Sequence, residues 1–242
     1  PGAGAIPPAG PIPAARARSL RRWNRFLAFA HGAQFILMLL VSRTTALFEP
    51  VVPTVRPLLT DGKFTGLESS SVLLISFPLA YLIASFLLMS AIAHATAGWV
   101  LRGRYEAWLA RGMNPLRWVE YAFSSTVMIV AIAYLSFITD FPALVAIAGC
   151  NVAMILFGWL QERMNPPGRT STTMLPFWFG SLVGITPWVA MAVNLFFISD
   201  APSAISVILI VQGLSFFCFG LNQWLQYRGV GRWPAYACGE RT

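Results

Sequence analysis

Apolar residues in this chain neither alternate nor recur along a single helical face. They run in six long blocks, each closed by a short polar or basic segment. The blocks predict helices over 26–43, 72–101, 115–139, 141–161, 174–199 and 203–227. Each is near the ~20 residues that a helix needs to cross a hydrocarbon layer about 30 Å thick. Punctuation agrees with the cuts. Asn114-Pro115 opens the third block, Asp140 precedes Phe141-Pro142 as an N-cap with proline in the first turn, and Asn165-Pro166-Pro167-Gly168 separates the fourth block from the fifth. The pattern predicts an all-α transmembrane bundle spanning 26–227, preceded by a flexible tail with a basic flank over 1–25 and followed by a polar segment over 228–242.

The connection between the first two blocks is long for a membrane loop. It holds Val51, Val52, Thr54 and Val55, then Leu58-Leu59-Thr60-Asp61-Gly62-Lys63-Phe64-Thr65. Asp-Gly between β-forming residues is the strongest short hairpin signal, so a short two-stranded hairpin turning at Asp61-Gly62 is expected there, against an irregular loop as the alternative.

Composition sharpens the class. With 57% hydrophobic residues, 11% charged residues and a mean hydropathy of +0.65, the chain is an integral membrane protein. Its net charge of +8 rests on 17 basic residues, and these are unevenly placed. Arg16, Arg18, Arg21, Arg22 and Arg25, then Arg102, Arg104, Arg111 and Arg117, then Arg163 and Arg169, and finally Arg228, Arg232 and Arg241 fall on one side. Only Arg43, Arg56 and Lys63 fall on the other, so the basic side and the N-terminus are expected in the cytoplasm, with the protein in the plasma membrane. No nucleic-acid motif accompanies the charge.

Soluble-type catalysis has little to stand on: there are two histidines, no H-E-x-x-H, no Walker loop, no G-x-G-x-x-G and no G-x-S-x-G. No catalytic residue and no metal site are expected, and the protein reads as a non-enzyme. Cys150, Cys218 and Cys238 lack metal or redox spacing and are expected as free, buried thiols.

Ionisable groups inside a span are costly and mark function by default. His31, His94 and Glu120 are the three found, and at 1.5 Å per residue all fall within roughly 6–11 Å of the cytoplasmic boundary. Gln34 lies three residues from His31, Ser90 four before His94, and Ser124 four after Glu120, spacings that share a helical face. Together they describe a hydrated polar cavity; the bland alternative is a set of individually satisfied core groups. Asn151, Gln212, Asn222 and Gln223 read as helix stitches, and Gly180-x-x-x-Gly184 as a close-packing pair. Met128, Met154, Trp178, Phe179, Trp188, Phe216 and Phe217 either line a pocket for an elongated apolar ligand or are plain packing.

Arg117-Trp118-Val119-Glu120-Tyr121, followed by Ser124, Ser125 and Met128, resembles the third-helix signature of heliorhodopsins, retinal proteins with a cytoplasmic N-terminus. His31 with Gln34, Ser90 with His94, the long first loop and Asn222-Gln223-Trp224-Leu225-Gln226-Tyr227 fit the same family. The resemblance implies a seven-helix rhodopsin-like fold of which this chain supplies six spans, with the hairpin in the first extracellular loop. It implies all-trans retinal as cofactor and Glu120 as the Schiff-base counterion. It also implies a proton-accepting polar cavity of His31, His94, Gln34 and Ser90, with Ser124 beside the counterion. Tyr121, Ser125, Met128, Asn151, Met154, Trp178, Phe179, Gln212 and Phe216 would lie near the polyene. Light sensing without ion pumping, a homodimer in contact with the lipid bilayer, and an unknown cytoplasmic signalling partner are implied with it.

One feature departs from the family. Retinal attaches to a lysine amine, and the sole lysine here is Lys63 of the first loop. In the family the Gly-Glu-basic segment that reads Gly239-Glu240-Arg241 here precedes a lysine-bearing seventh helix, so a further span beyond Thr242 is expected. The competing reading is a small proton-conducting channel or transporter with Glu120, His31 and His94 as a relay.

Overall fold

A computed structural model describes residues 11–42 and 46–229. Helix α1 covers Ala14–Val41; four strands follow, β1 Leu47–Phe48, β2 Val51–Thr60, β3 Lys63–Leu73 and β4 Phe77–Pro78. Helix α2, Leu79–Ala95, runs on into a π-turn at Thr96–Val100 and then a short helix α3, Arg102–Ala110. Helices α4 Pro115–Leu135, α5 Phe141–Met164, α6 Leu175–Phe197 and α7 Ser203–Arg228 complete the chain. Among the described residues 6 helices are long and apolar enough to cross a membrane, all of these except α3.

The caps read from the sequence are present. Asn114 Oδ1 accepts from the Arg117 amide at 3.2 Å, and Asp140 Oδ1 accepts from the Ala143 amide at 2.7 Å, each with proline in the first turn. Three expectations need correction. The basic flank is helical from Ala14, because Ala and Arg are strong helix formers that continue the helix through the headgroup layer, where apolar runs cannot reveal it. Residues 72–78, expected as the start of the second helix, are extended instead. Val72 and Leu73 finish β3, and the helix starts only after Pro78, a division that hydropathy alone cannot make. Cys150 and Cys218 are free, but Cys150 is half-buried and Cys218 exposed; Cys238 lies outside the described residues.

β2 and β3 form one long antiparallel hairpin whose register runs from Val51 opposite Leu73 to Thr60 opposite Lys63, with a shift at Leu58/Leu59. Its tip is Asp61-Gly62, with φ of 52° and 75°. Both central residues are left-handed, as a type I′ turn demands and as Gly62 permits at no steric cost. The hairpin is fixed to the bundle at its base. β1 pairs with β4, the Val51 amide donates to the Thr139 carbonyl at 2.9 Å, and the Glu49 amide donates to the Tyr134 hydroxyl at 2.9 Å.

In a bilayer helices gain little from hydrophobic burial against one another, so close approach of small residues carries the packing. Ala80, Ala84 and Ala91 of α2 and Ala131 and Ala133 of α4 are buried accordingly, and Gly180 and Gly184 of α6 sit against Phe157 and Met154 of α5. The helices form an arc in which α1 packs on α2, α2 on α4, α4 on α5 and α5 on α6, while α7 leans lightly on α6 and α4. Towards the hairpin end the interior is apolar: Phe48, Leu79, Ile129, Ile132, Ile138, Leu144, Ile147, Trp188 and Met191 form one buried cluster. Most of the buried polar groups lie towards the opposite, basic end; Ser136 is buried on the hairpin side, where Asn194 Nδ2 donates to its carbonyl at 2.7 Å.

Candidate functional site

Glu120 sits one turn into α4, on the face turned to α2. Its Oε1 accepts from Ser124 Oγ at 2.8 Å, one turn along the same helix, and from Ser90 Oγ at 3.1 Å across the interface. Ser124 and Ser90 are both buried. Among the described residues the ion pairs are Arg21–Glu106 and Arg117–Glu162, so the partners of the Glu120 carboxyl are hydroxyl donors and not a cation.

One turn after Ser90 stands His94. Asn24 Nδ2 donates to the Leu20 carbonyl at 3.0 Å, which turns Asn24 Oδ1 towards the imidazole. His94 Nδ1 therefore donates to that oxygen at 2.9 Å, leaving Nε2 as the ring atom with a free lone pair. His31 stacks on His94 with ring centroids 5.6 Å apart and planes 12° apart, and its Nδ1 lies 3.0 Å from Gln34 Oε1. A cavity of about 130 Å³ joins these elements, lined by Asn24, His94, Tyr105, Asn114, Arg117 and Glu120 among others. His31 lies behind His94 rather than in the lining, and Gln34 is exposed.

On the other side of α4 is an apolar slot of about 90 Å³ between α4, α5, α6 and α7. Trp118, Met154, Gly158, Phe177, Phe216 and Gln223 form much of its wall. Trp118 is held firmly. Its indole N–H donates to Glu162 Oε2, its ring packs on Gly158 so closely that a Cβ there would lie 2.5 Å from it, and the Arg117 guanidinium stacks over it at 4.7 Å. Glu162 also accepts from the Asn114 amide at 2.5 Å and stands 3.8 Å from Arg117, so this buried carboxylate ties the start of α4 to the end of α5.

The remaining residues named from sequence divide by position. Met154 and Phe216 line the slot. Asn151 is buried and donates to Ser125 Oγ at 2.8 Å and Thr126 Oγ1 at 2.9 Å, a clamp between α5 and α4. Tyr121 meets Phe219 edge-on at 5.9 Å, Met128 packs on the apolar cluster, and Gln212 is half-buried on α7 beside Gly213. Trp178 and Phe179 are exposed on α6, turned away from the slot, where Phe177 takes the inward position.

Asn24, Tyr105 and Glu162 were not singled out by sequence. Asn24 carried one legible signal, its place two turns before His31 on the same face. Glu162 lies two residues beyond Leu160, the last apolar residue of its block, and reads as a headgroup flank.

The family model described as Heliorhodopsin matches residues 20–242. The chain belongs to the heliorhodopsin family. That membership brings a retinal cofactor and a place in the bilayer to a site whose chemistry suits them. Among the described residues the heliorhodopsin site has a carboxylate held by hydroxyls with no ion-pair partner, and an apolar slot with aromatic walls on the other side of α4. No curated protein matches this chain.

Proposed function

We propose that this heliorhodopsin is a light sensor, not an ion pump and not an enzyme, in which Glu120 supplies the negative charge opposite lysine-bound retinal. The observation that carries the reading is Glu120 itself, a carboxylate inside a span that accepts from Ser90 and Ser124 and is left without an ion pair among the described residues. Retinal, when bound, supplies a visible chromophore with a positive nitrogen and an isomerisable polyene. Glu120 holds the countercharge, Ser90 and Ser124 orient it, and Trp118, Met154 and Phe216 exclude water from the apolar side. His94 Nε2, left open by the Asn24 bond to Nδ1, takes up a proton within the cavity, with the His31 ring stacked beside it. The apolar cluster on the hairpin side supports sensing over pumping, because among the described residues its side chains offer a proton no relay.

The only lysine here, Lys63, sits in the hairpin beside the turn, so we assign the attachment to a lysine carried by a further span after Thr242. Borohydride reduction of the retinal-loaded full-length protein, followed by peptide mapping, is expected to find the retinyl group on that lysine. Recovery on Lys63, or on no lysine, would overturn the assignment.

The same proposal puts the N-terminus in the cytoplasm, the hairpin outside the cell at a homodimer contact, and the signalling partner on the basic side. A membrane-impermeant maleimide is expected to label Asp61→Cys in intact cells, and Arg104→Cys only after the cells are opened. The reverse pattern would invert the topology.

A further inference from the structure

The basic flank folded into α1 does more than mark a topology. Arg18, Arg21, Arg22 and Arg25 fall within an arc of about 100° on that helix. Arg21 is spent: its Nη1 donates to Glu106 Oε1 of α3 at 2.9 Å, pinning α3 against α1. Arg102 lies one turn before Glu106, on the same side of α3. Glu106 is the sole acid in α1, the π-turn and α3, so once it is paired with Arg21 the other arginines of these elements have no acidic partner there. Arg18, Arg22 and Arg102 are exposed. Like charges one turn apart repel, and such a stripe is stabilised by an anion from outside.

The surface below the stripe names the kind of anion. Arg25 stacks over Trp99 at 5.2 Å, its Nε donates to the Gly98 carbonyl at 3.4 Å, and Trp99 meets Phe29 edge-on at 5.8 Å. Trp99 is 43% and Phe29 72% exposed, so an apolar, outward-facing strip continues directly from the guanidinium groups into the membrane-spanning part of α1. Positive groups over an aromatic belt that leads into hydrocarbon match a phosphate joined to acyl chains. We propose that Arg18, Arg22, Arg25 and Arg102 hold the phosphodiester of an anionic glycerophospholipid, with an acyl chain lying along Trp99 and Phe29. Arg104, two residues on, lies about 200° round α3 from Arg102 and takes no part. Because the site includes the Arg21–Glu106 bridge, the lipid would also secure α3, whose Tyr105 lines the polar cavity.

The test is native mass spectrometry of the full-length protein released from detergent with equimolar phosphatidylglycerol and phosphatidylcholine. The wild type is expected to retain phosphatidylglycerol about tenfold over phosphatidylcholine. Arg18→Gln/Arg22→Gln/Arg102→Gln is expected to lose that preference, Arg104→Gln to keep it, and Arg18→Lys/Arg22→Lys/Arg102→Lys to keep most of it. Equal retention of the two lipids by the wild type, loss in the lysine variant equal to that in the glutamine variant, or an unchanged preference in the glutamine variant would overturn the proposal. Displacement of the lipid by millimolar inorganic phosphate would also overturn it, by showing a free-anion site.

Discussion

Glu162→Ala is expected to lower stability in detergent by about 3–5 kcal/mol, the cost typical of removing one partner from a buried charged network. The substitution strands the Trp118 indole N–H and the Asn114 amide, and leaves Arg117 beside a void in place of a carboxylate. Glu162→Gln keeps one oxygen acceptor but not the charge, and is expected to lose only about 1–3 kcal/mol. Thermal unfolding followed by tryptophan fluorescence measures both. Equal losses for Ala and Gln would show that side-chain volume, not the hydrogen bonds, holds α4 to α5. The consequence for function is local: Trp118 forms a wall of the apolar slot, so the Ala variant is also expected to bind retinal less tightly.

Glu120→Gln in the retinal-loaded protein is expected to move the absorption maximum to longer wavelength while the chromophore stays cationic. A negative charge beside the chromophore nitrogen stabilises the ground state, where positive charge is concentrated there, more than the excited state, where it spreads along the polyene. At about 4 Å and an effective dielectric constant near 20 the interaction is on the order of 4 kcal/mol, large enough to read directly from a spectrum. Ser124→Ala removes one donor from Glu120 Oε1 and keeps the charge, so it is expected to shift the band by much less. An unshifted band in Glu120→Gln would remove Glu120 from its proposed role.

Much of this site is legible in the amino-acid sequence. Glu120, His31 and His94 stood out because ionisable residues are rare within apolar blocks, and Ser90 and Ser124 because helical spacing put them a turn away. Asp61-Gly62 announced its turn because few dipeptides accept two left-handed residues. Hydropathy failed where it had no contrast to work with. Residues 72–75 are apolar whether they finish a strand or begin a helix, and the first turns of α1 are charged although helical. The inward place of Phe177 over Trp178 and Phe179 was illegible for a similar reason, since α6 is apolar on every side and only packing against α5 chooses its inner face. Glu162 stayed hidden because its three partners come from another helix, 44 and 48 residues away for the two hydrogen bonds.

The central claim is that this chain forms a retinal pocket with Glu120 at its charged end. The visible absorption spectrum of the full-length protein, purified after expression with all-trans retinal, tests it most directly. A band in the visible range that moves on Glu120→Gln is the predicted result. A spectrum showing only free retinal in the near ultraviolet, from protein that is folded and in the membrane, would contradict it.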